Sequence, residues 1–203
     1  MPNEGVLPTP TDATPTRTTR ERLLRAAIEL IAEQGWGAVT TRMVAERAGV
    51  NQALVHYHYR SVPGLLREAA YAAMSVVFEP ATLRLLGAED PLVALQGVLE
   101  AVVEIDPGAP ESRAVIEATV QAGRDPELNA QMREMLALFR RLLAERVAAA
   151  QAEGRVGPGV RPEGAAVALA ALLDGLALHR LVDPSTDIAA ATSVIMALLR
   201  ERG

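Results

Sequence analysis

A chain of 203 residues, half of them hydrophobic and carrying a net charge of −5, has apolar surface enough for one medium domain or for a small module fused to a larger one. It contains no cysteine, which excludes disulfides and thiolate metal sites, and its acidity argues against an indiscriminate polyanion binder. No apolar run is expected to reach the roughly 18 residues of a membrane span, because charges or glycines interrupt each candidate, and the N-terminus lacks the basic-then-apolar pattern of a secretory signal. The expectation is a cytoplasmic protein that does not enter a membrane.

Every one of the 20 basic residues is an arginine, and they are unevenly spread. Between positions 17 and 60, seven arginines face four glutamates, whereas from position 68 onward twelve arginines face nineteen acids. A mildly basic head on an acidic body suits local phosphate contact with repulsion elsewhere.

Residues 1–16 are rich in proline and threonine and read as a disordered tail. With few aromatics and apolar spacings of three or four residues, everything beyond reads as helix. The first helix is predicted over 18–34, with Thr18 and Glu21 as a capping box and Leu23, Leu24, Ala27, Ile28 and Ile31 as its stripe. Gly35 and Gly37 stop it, and Trp36 can fold back onto the stripe. Thr40 or Thr41 caps a short helix with Met43, Val44, Ala45 and Ala48 inward, ended by Gly49. Asn51 caps a second short helix, 52–59. Two short helices joined by a tight glycine-containing turn form a helix-turn-helix unit, which places its second helix in the major groove of DNA. Ser61 caps a longer helix that tolerates Pro63 in its first turn and is expected to run to Glu79, where Pro80 kinks or ends it. Further helices are predicted over 91–105, 111–122, 126–153, 162–182 and 186–202.

The predicted reading helix offers Asn51, Gln52, His56, Tyr57 and His58 as donors and acceptors, with Leu54, Val55 and Tyr59 inward. Asn and Gln can bond adenine bidentately, His can reach guanine acceptors, and Ala53 can meet a thymine methyl. Threonine hydroxyls, guanidiniums and helix N-termini suit phosphates. His56 and His58, two apart on a helix, point to different faces with no nearby carboxylate, so no metal site is expected.

The run Thr40-Thr41-Arg42, Val44-Ala45, Ala48-Gly49-Val50, Leu54 to Tyr59 and Ser61 resembles the head of the tetracycline-repressor (TetR-like) family, over about 18–66. The resemblance implies an all-α fold: a helix-turn-helix domain, 17–62, joined to a helical effector-binding and dimerisation domain, 63–203. By position it implies DNA contacts from Thr40, Thr41, Arg42, Asn51, Gln52, Ala53, His56, Tyr57, His58 and Arg60. His56 stands where the family usually has a phosphate-binding tyrosine, Asn51 replaces serine and Ala53 replaces glycine. Val62 and Pro63 replace a frequent Lys-Glu, and Arg60 is the candidate substitute for the lost contact.

In the resembled family the body dimerises through its last two helices and encloses a small-molecule pocket. Positions 165–181 are nearly apolar all round and need cover on two sides. The expected interface takes Leu169, Leu172, Leu173, Leu176 and His179 from this helix and Ile188, Thr192, Ile195 and Leu199 from the last. Burial within one monomeric bundle is the alternative. Met74, Phe78, Met132, Met135 and Phe139 are the pocket candidates. Asp174 and His179, polar within the apolar segment, read as interface residues before ligand contacts. No nucleophile–base pair, phosphate-cradling loop or metal cluster supports an enzyme, and no cofactor is expected. The resulting expectation is a homodimeric repressor, released from a palindromic operator by an apolar effector. The alternative is a helical interaction module whose head no longer binds DNA.

Overall fold

The computed structural model describes residues 18–200, with side chains to Ala197. The predicted tail, the end of the last helix and the side chain of Leu199 lie outside the described residues. Nine α-helices are described, with no strand: α1 Thr19–Gln34, α2 Thr41–Ala48, α3 Gln52–Tyr59, α4 Val62–Gly87, α5 Pro91–Glu104, α6 Pro110–Ala122, α7 Pro126–Ala152, α8 Pro162–Val182 and α9 Ile188–Arg200. A single 3-10 turn, Trp36–Ala38, follows α1.

The capping chemistry fixes the helix starts. Thr18 and Glu21 form the reciprocal capping box of α1; Thr40, Asn51 and Ser61 accept hydrogen bonds from the first-turn amides of α2, α3 and α4. Asp90 caps α5 and also receives the Arg155 guanidinium at 2.5 and 2.8 Å. The Arg155 bond, with the capping amides, holds its carboxyl well below the usual carboxylate range.

Three apolar clusters organise the chain. The first closes the head, where α1, α2 and α3 pack on the start of α4 around Leu23, Ile31, Val44, Val55 and Leu65. The second lies in the body, built by α5, α7, α8 and α9 with the end of α4. A smaller third, Ala70, Met74, Ala118, Ala122, Leu128 and Met132, joins them through α4, α6 and α7. Trp36 packs against both the head and this joining cluster, so it reaches past the α1 stripe into the head–body seam.

Two expectations need correction. The fourth helix does not end at Glu79; it continues through Pro80 to Gly87. Proline removes one amide donor, but Ala81 and Leu85 are buried beyond it and α5 packs along this stretch, so tertiary cover outweighs the lost bond. Secondly, α8 is long and apolar enough to cross a membrane by length and composition, which the interrupted sequence was expected to prevent. Its leucine and alanine content outweighs the two acids, the one arginine and the two glycines.

Candidate nucleic-acid interface and inner cavity

The turn between α2 and α3 is made at Gly49, which sits in the left-handed region (φ 63, ψ 41). Arg22 of α1 donates to the carbonyls of Ala48 and Gly49, at 2.5 and 3.1 Å, so the turn is pinned to the first helix. A side chain at Gly49 would also meet that guanidinium. From the other end, the Tyr59 hydroxyl donates to the Arg20 carbonyl at 3.0 Å. Burial pushes the Tyr59 phenol up to about 12, against the opposing charge of Arg20. With Val55 fully buried and Leu54 half-buried, α3 is seated by one face on the head.

Its other face is open. Asn51, Gln52, Ala53, His56 and Tyr57 are exposed, Tyr57 to 80%, while His58 is half-buried against both neighbouring tyrosine rings. An aromatic residue so uncovered gains nothing for the fold, so its apolar ring awaits another surface. Thr40 and Arg42 are exposed and Thr41 half-buried at the start of α2. Capping spends acceptors and leaves donors free: the Asn51 carbonyl oxygen is bonded to the Ala53 amide at 2.8 Å and Thr40 Oγ1 to the Met43 amide at 3.3 Å. The Asn51 amide group and the Thr40 hydroxyl proton therefore remain for an anionic or acceptor-rich surface. Nδ1 of His56 lies 3.3 Å from the Arg60 carbonyl. A neutral ring donating there presents Nε2 as an acceptor, which suits an exocyclic base amine better than a phosphate. Arg60 itself is exposed and is the only described non-glycine residue with positive φ, at 61.

In the body, Met74, Phe78, Met132, Met135 and Phe139 all line one cavity of about 440 Å³ between α4, α5, α6, α7 and α8. Phe78 and Phe139 meet edge to face, ring centres 5.9 Å apart. Sequence reasoning missed the α6 wall, where Ser112, Val115, Ile116 and Thr119 face the cavity, and the contribution of α8 through Leu173, Asp174 and Leu178. The α6 wall carries ordinary aliphatic and hydroxyl residues with no signal beyond helical spacing. The opposite side of α6 meets the head: Glu111 accepts from Arg25 at 2.8 Å, Ala114 is fully buried in the head cluster, and Glu117 accepts from the Trp36 backbone amide at 3.3 Å.

The residues expected at a dimer interface divide. Leu169, Leu173, Ile188 and Thr192 are buried inside the protomer, in or against its own core, so they are unavailable to a partner as they stand. The cause is that α8 and α9 are apolar on two faces and the protomer takes one of them. Leu172 and His179 are exposed, and Leu176 and Ile195 half-buried. With Ala168, Ala171, Gly175, Val182 and Val194 they leave an apolar, small-residue surface outward. Among the described residues no group of three or more His, Asp or Glu could hold a metal ion.

Comparison with known proteins extends this picture over nearly the whole chain. Residues 23–69 match the model of bacterial regulatory proteins of the tetR family, and residues 91–202 match that of the C-terminal region of BetI-type transcriptional repressors. The chain is 28% identical over 178 residues to the HTH-type transcriptional regulator BetI of Agrobacterium fabrum, covering 87% of this chain and 84% of that one. It is 23% identical over 154 residues to the regulator UidR of Escherichia coli, covering 74% of each. Its fold matches a TetR-family regulator from a Rhodococcus species with a TM-score of 0.77 at 23% identity, over 90% of this chain and 99% of that one. It also matches a transcriptional regulator of Saccharomonospora viridis in complex with choline, with a TM-score of 0.76 at 21% identity, over 90% and 95%. The chain belongs to the TetR family of transcriptional regulators, as a DNA-binding helix-turn-helix repressor with a BetI-type C-terminal effector-binding domain, and it is not an enzyme.

Proposed function

We propose that two copies of this chain, paired through the outward faces of α8 and α9, read a palindromic operator with α3 and release it when a small molecule enters the cavity. The observation that carries the reading is the division of α3: Val55 and Tyr59 are locked into the head while Gln52, Ala53, His56 and Tyr57 stand uncovered. Gln52, Ala53, Tyr57 and His58 are assigned to base edges and the adjoining backbone. Thr40, Thr41, Arg42, Asn51 and Arg60 are assigned to phosphates, which set register without reading sequence. His56 is assigned to an exocyclic base amine. The work is done in the cytoplasm, where the chromosome lies.

The link from cavity to head is α6, which has one side on the cavity and the other on α1 and Trp36. A ligand pressing on Ile116 and Thr119 displaces the surface on which the head is seated. Between two heads that must dock together, a shift of a few ångströms is enough. A coupling of about 1–3 kcal/mol changes operator affinity some 5–150-fold. That a fold relative holds choline supports an effector in this body, though two phenylalanines alone make a poor cage for that ion.

The test is fluorescence anisotropy with duplex DNA from upstream of the protein's own gene. The double variant Gln52→Ala, Tyr57→Ala is expected to lose about 2 kcal/mol or more of binding, with its melting temperature unchanged, since both side chains are exposed. Binding as tight as that of the wild type would remove α3 from the groove.

A further inference from the structure

The cavity has an uneven chemistry. Of the residues that line it, none is Arg, Lys, His, Asn, Gln, Tyr or Trp, so no side chain brings an N–H donor. Its two hydroxyls have already spent their protons: Ser112 Oγ donates to the Asp106 carbonyl at 2.7 Å and Thr119 Oγ1 to the Val115 carbonyl at 2.8 Å. The backbone amide of Ile105 is bonded to Val102. What remains toward the interior is acceptor capacity, together with one carboxylate, Asp174 of α8. Asp174 stands at the rim, exposed in the single chain, and among the described residues it makes no hydrogen bond and no ion pair. Arg140 of α7 acts on it only at a distance and is not part of the wall.

A ligand for such a site must bring the donors itself, and it gains from a positive charge. A carboxylate or phosphate would meet no donor and a like charge, and a polyol would leave most of its hydroxyls unpaired against methionine, leucine and phenylalanine. We infer that the effector is a lipophilic amine, its apolar body filling the interior beside Phe78 and Phe139 and its protonated nitrogen hydrogen-bonded to the Asp174 carboxylate at the rim. The inference rests on the reading of this cavity as the effector site. Desolvation by the surrounding atoms raises the Asp174 carboxyl above its ordinary value, only partly opposed by Arg140, and a bound ammonium lowers it again. An N–H-bearing amine fits better than a quaternary ammonium, which can give no hydrogen bond and relies on an aromatic cage that this wall lacks.

Three probes with one tail separate the claims: octylammonium, octanol and octanoate, each titrated calorimetrically into the whole chain. The expected order is octylammonium at least about tenfold tighter than octanol, with octanoate weakest. In Asp174→Asn, with its oligomeric state checked by sedimentation, the amine's advantage is expected to shrink to about twofold or less while octanol binds as before. The cavity-filling variant Ile116→Trp is expected to block octylammonium and octanol alike. If amine and alcohol bind equally and Ile116→Trp still blocks both, the amine assignment is overturned and the cavity reading stands. If no probe binds, or if Ile116→Trp changes nothing, the cavity reading falls and takes the assignment with it.

Discussion

Tyr59 and Arg60 are neighbours at the end of α3 and are held in opposite ways. Tyr59 is buried and hydrogen-bonded back to α1, so its place is a matter of packing. Arg60 is exposed and sits at φ 61, a backbone conformation that costs a bulky residue of order 1–3 kcal/mol. Glycine, with no Cβ, adopts it at lower cost than arginine, at the expense of greater unfolded-chain entropy. Arg60→Gly is therefore expected to stabilise the protein by about 1 kcal/mol, a rise in melting temperature of about 2–4 °C by calorimetry, while weakening operator binding through loss of a phosphate contact. A drop in melting temperature would show that the guanidinium carries structure. At this scale the caps were legible, because Thr18, Thr40, Asn51 and Ser61 have only one economical use before an apolar run. The positive φ of Arg60 was not, because nothing in an arginine announces it; the turn after α3 needs it whatever residue stands there.

At the scale of elements, α6 joins the functional regions. One side of it walls the cavity and the other holds the head through Glu111, Ala114 and Glu117. Trp36, the one tryptophan in the chain, packs at this seam and reports on it. Glu117→Ala removes the acceptor of the Trp36 amide and should lower stability by about 1 kcal/mol, shift Trp36 emission to the red and leave far-ultraviolet circular dichroism unchanged. Unchanged emission would show that the seam does not depend on this carboxylate. Periodicity predicted nearly every helix boundary within a residue or two, with one clear exception in α4. Local rules end a helix at Pro80, but Ala81 and Leu85 bury against α5 and carry it on. The five cavity residues proposed from sequence were chosen as bulky and adaptable, and they do gather; the α6 and α8 walls went unseen because valine, isoleucine and leucine look alike whether they line a space or fill one.

At the scale of the molecule, α8 shows what a single chain cannot settle by pattern. Its apolar character called for cover on two sides. The protomer buries Leu169 and Leu173, and leaves Ala168, Ala171, Leu172 and Gly175 outward. A second copy related by a two-fold axis is the cover proposed, and small residues let the paired helices approach closely. Ala171→Arg places a charge on that face in both copies and should weaken dimerisation by about 3–5 kcal/mol, giving monomers in sedimentation at micromolar concentration with helix content retained. A variant that remains a dimer would move the interface elsewhere. Operator binding should fall with dimerisation, because two heads share one site.

That shared docking is the centre of the account, and DNA geometry tests it directly. Two heads on a two-fold dimer meet half-sites about one helical turn apart, so inserting about five base pairs, half a turn, between the half-sites of a footprinted operator turns one of them to the far side of the duplex. Measured by equilibrium anisotropy at fixed salt, affinity for the lengthened operator is predicted to collapse to that for unrelated DNA, with two protomers per site on the native spacing. Unchanged affinity after the insertion would contradict the account, for it would mean that each head binds alone.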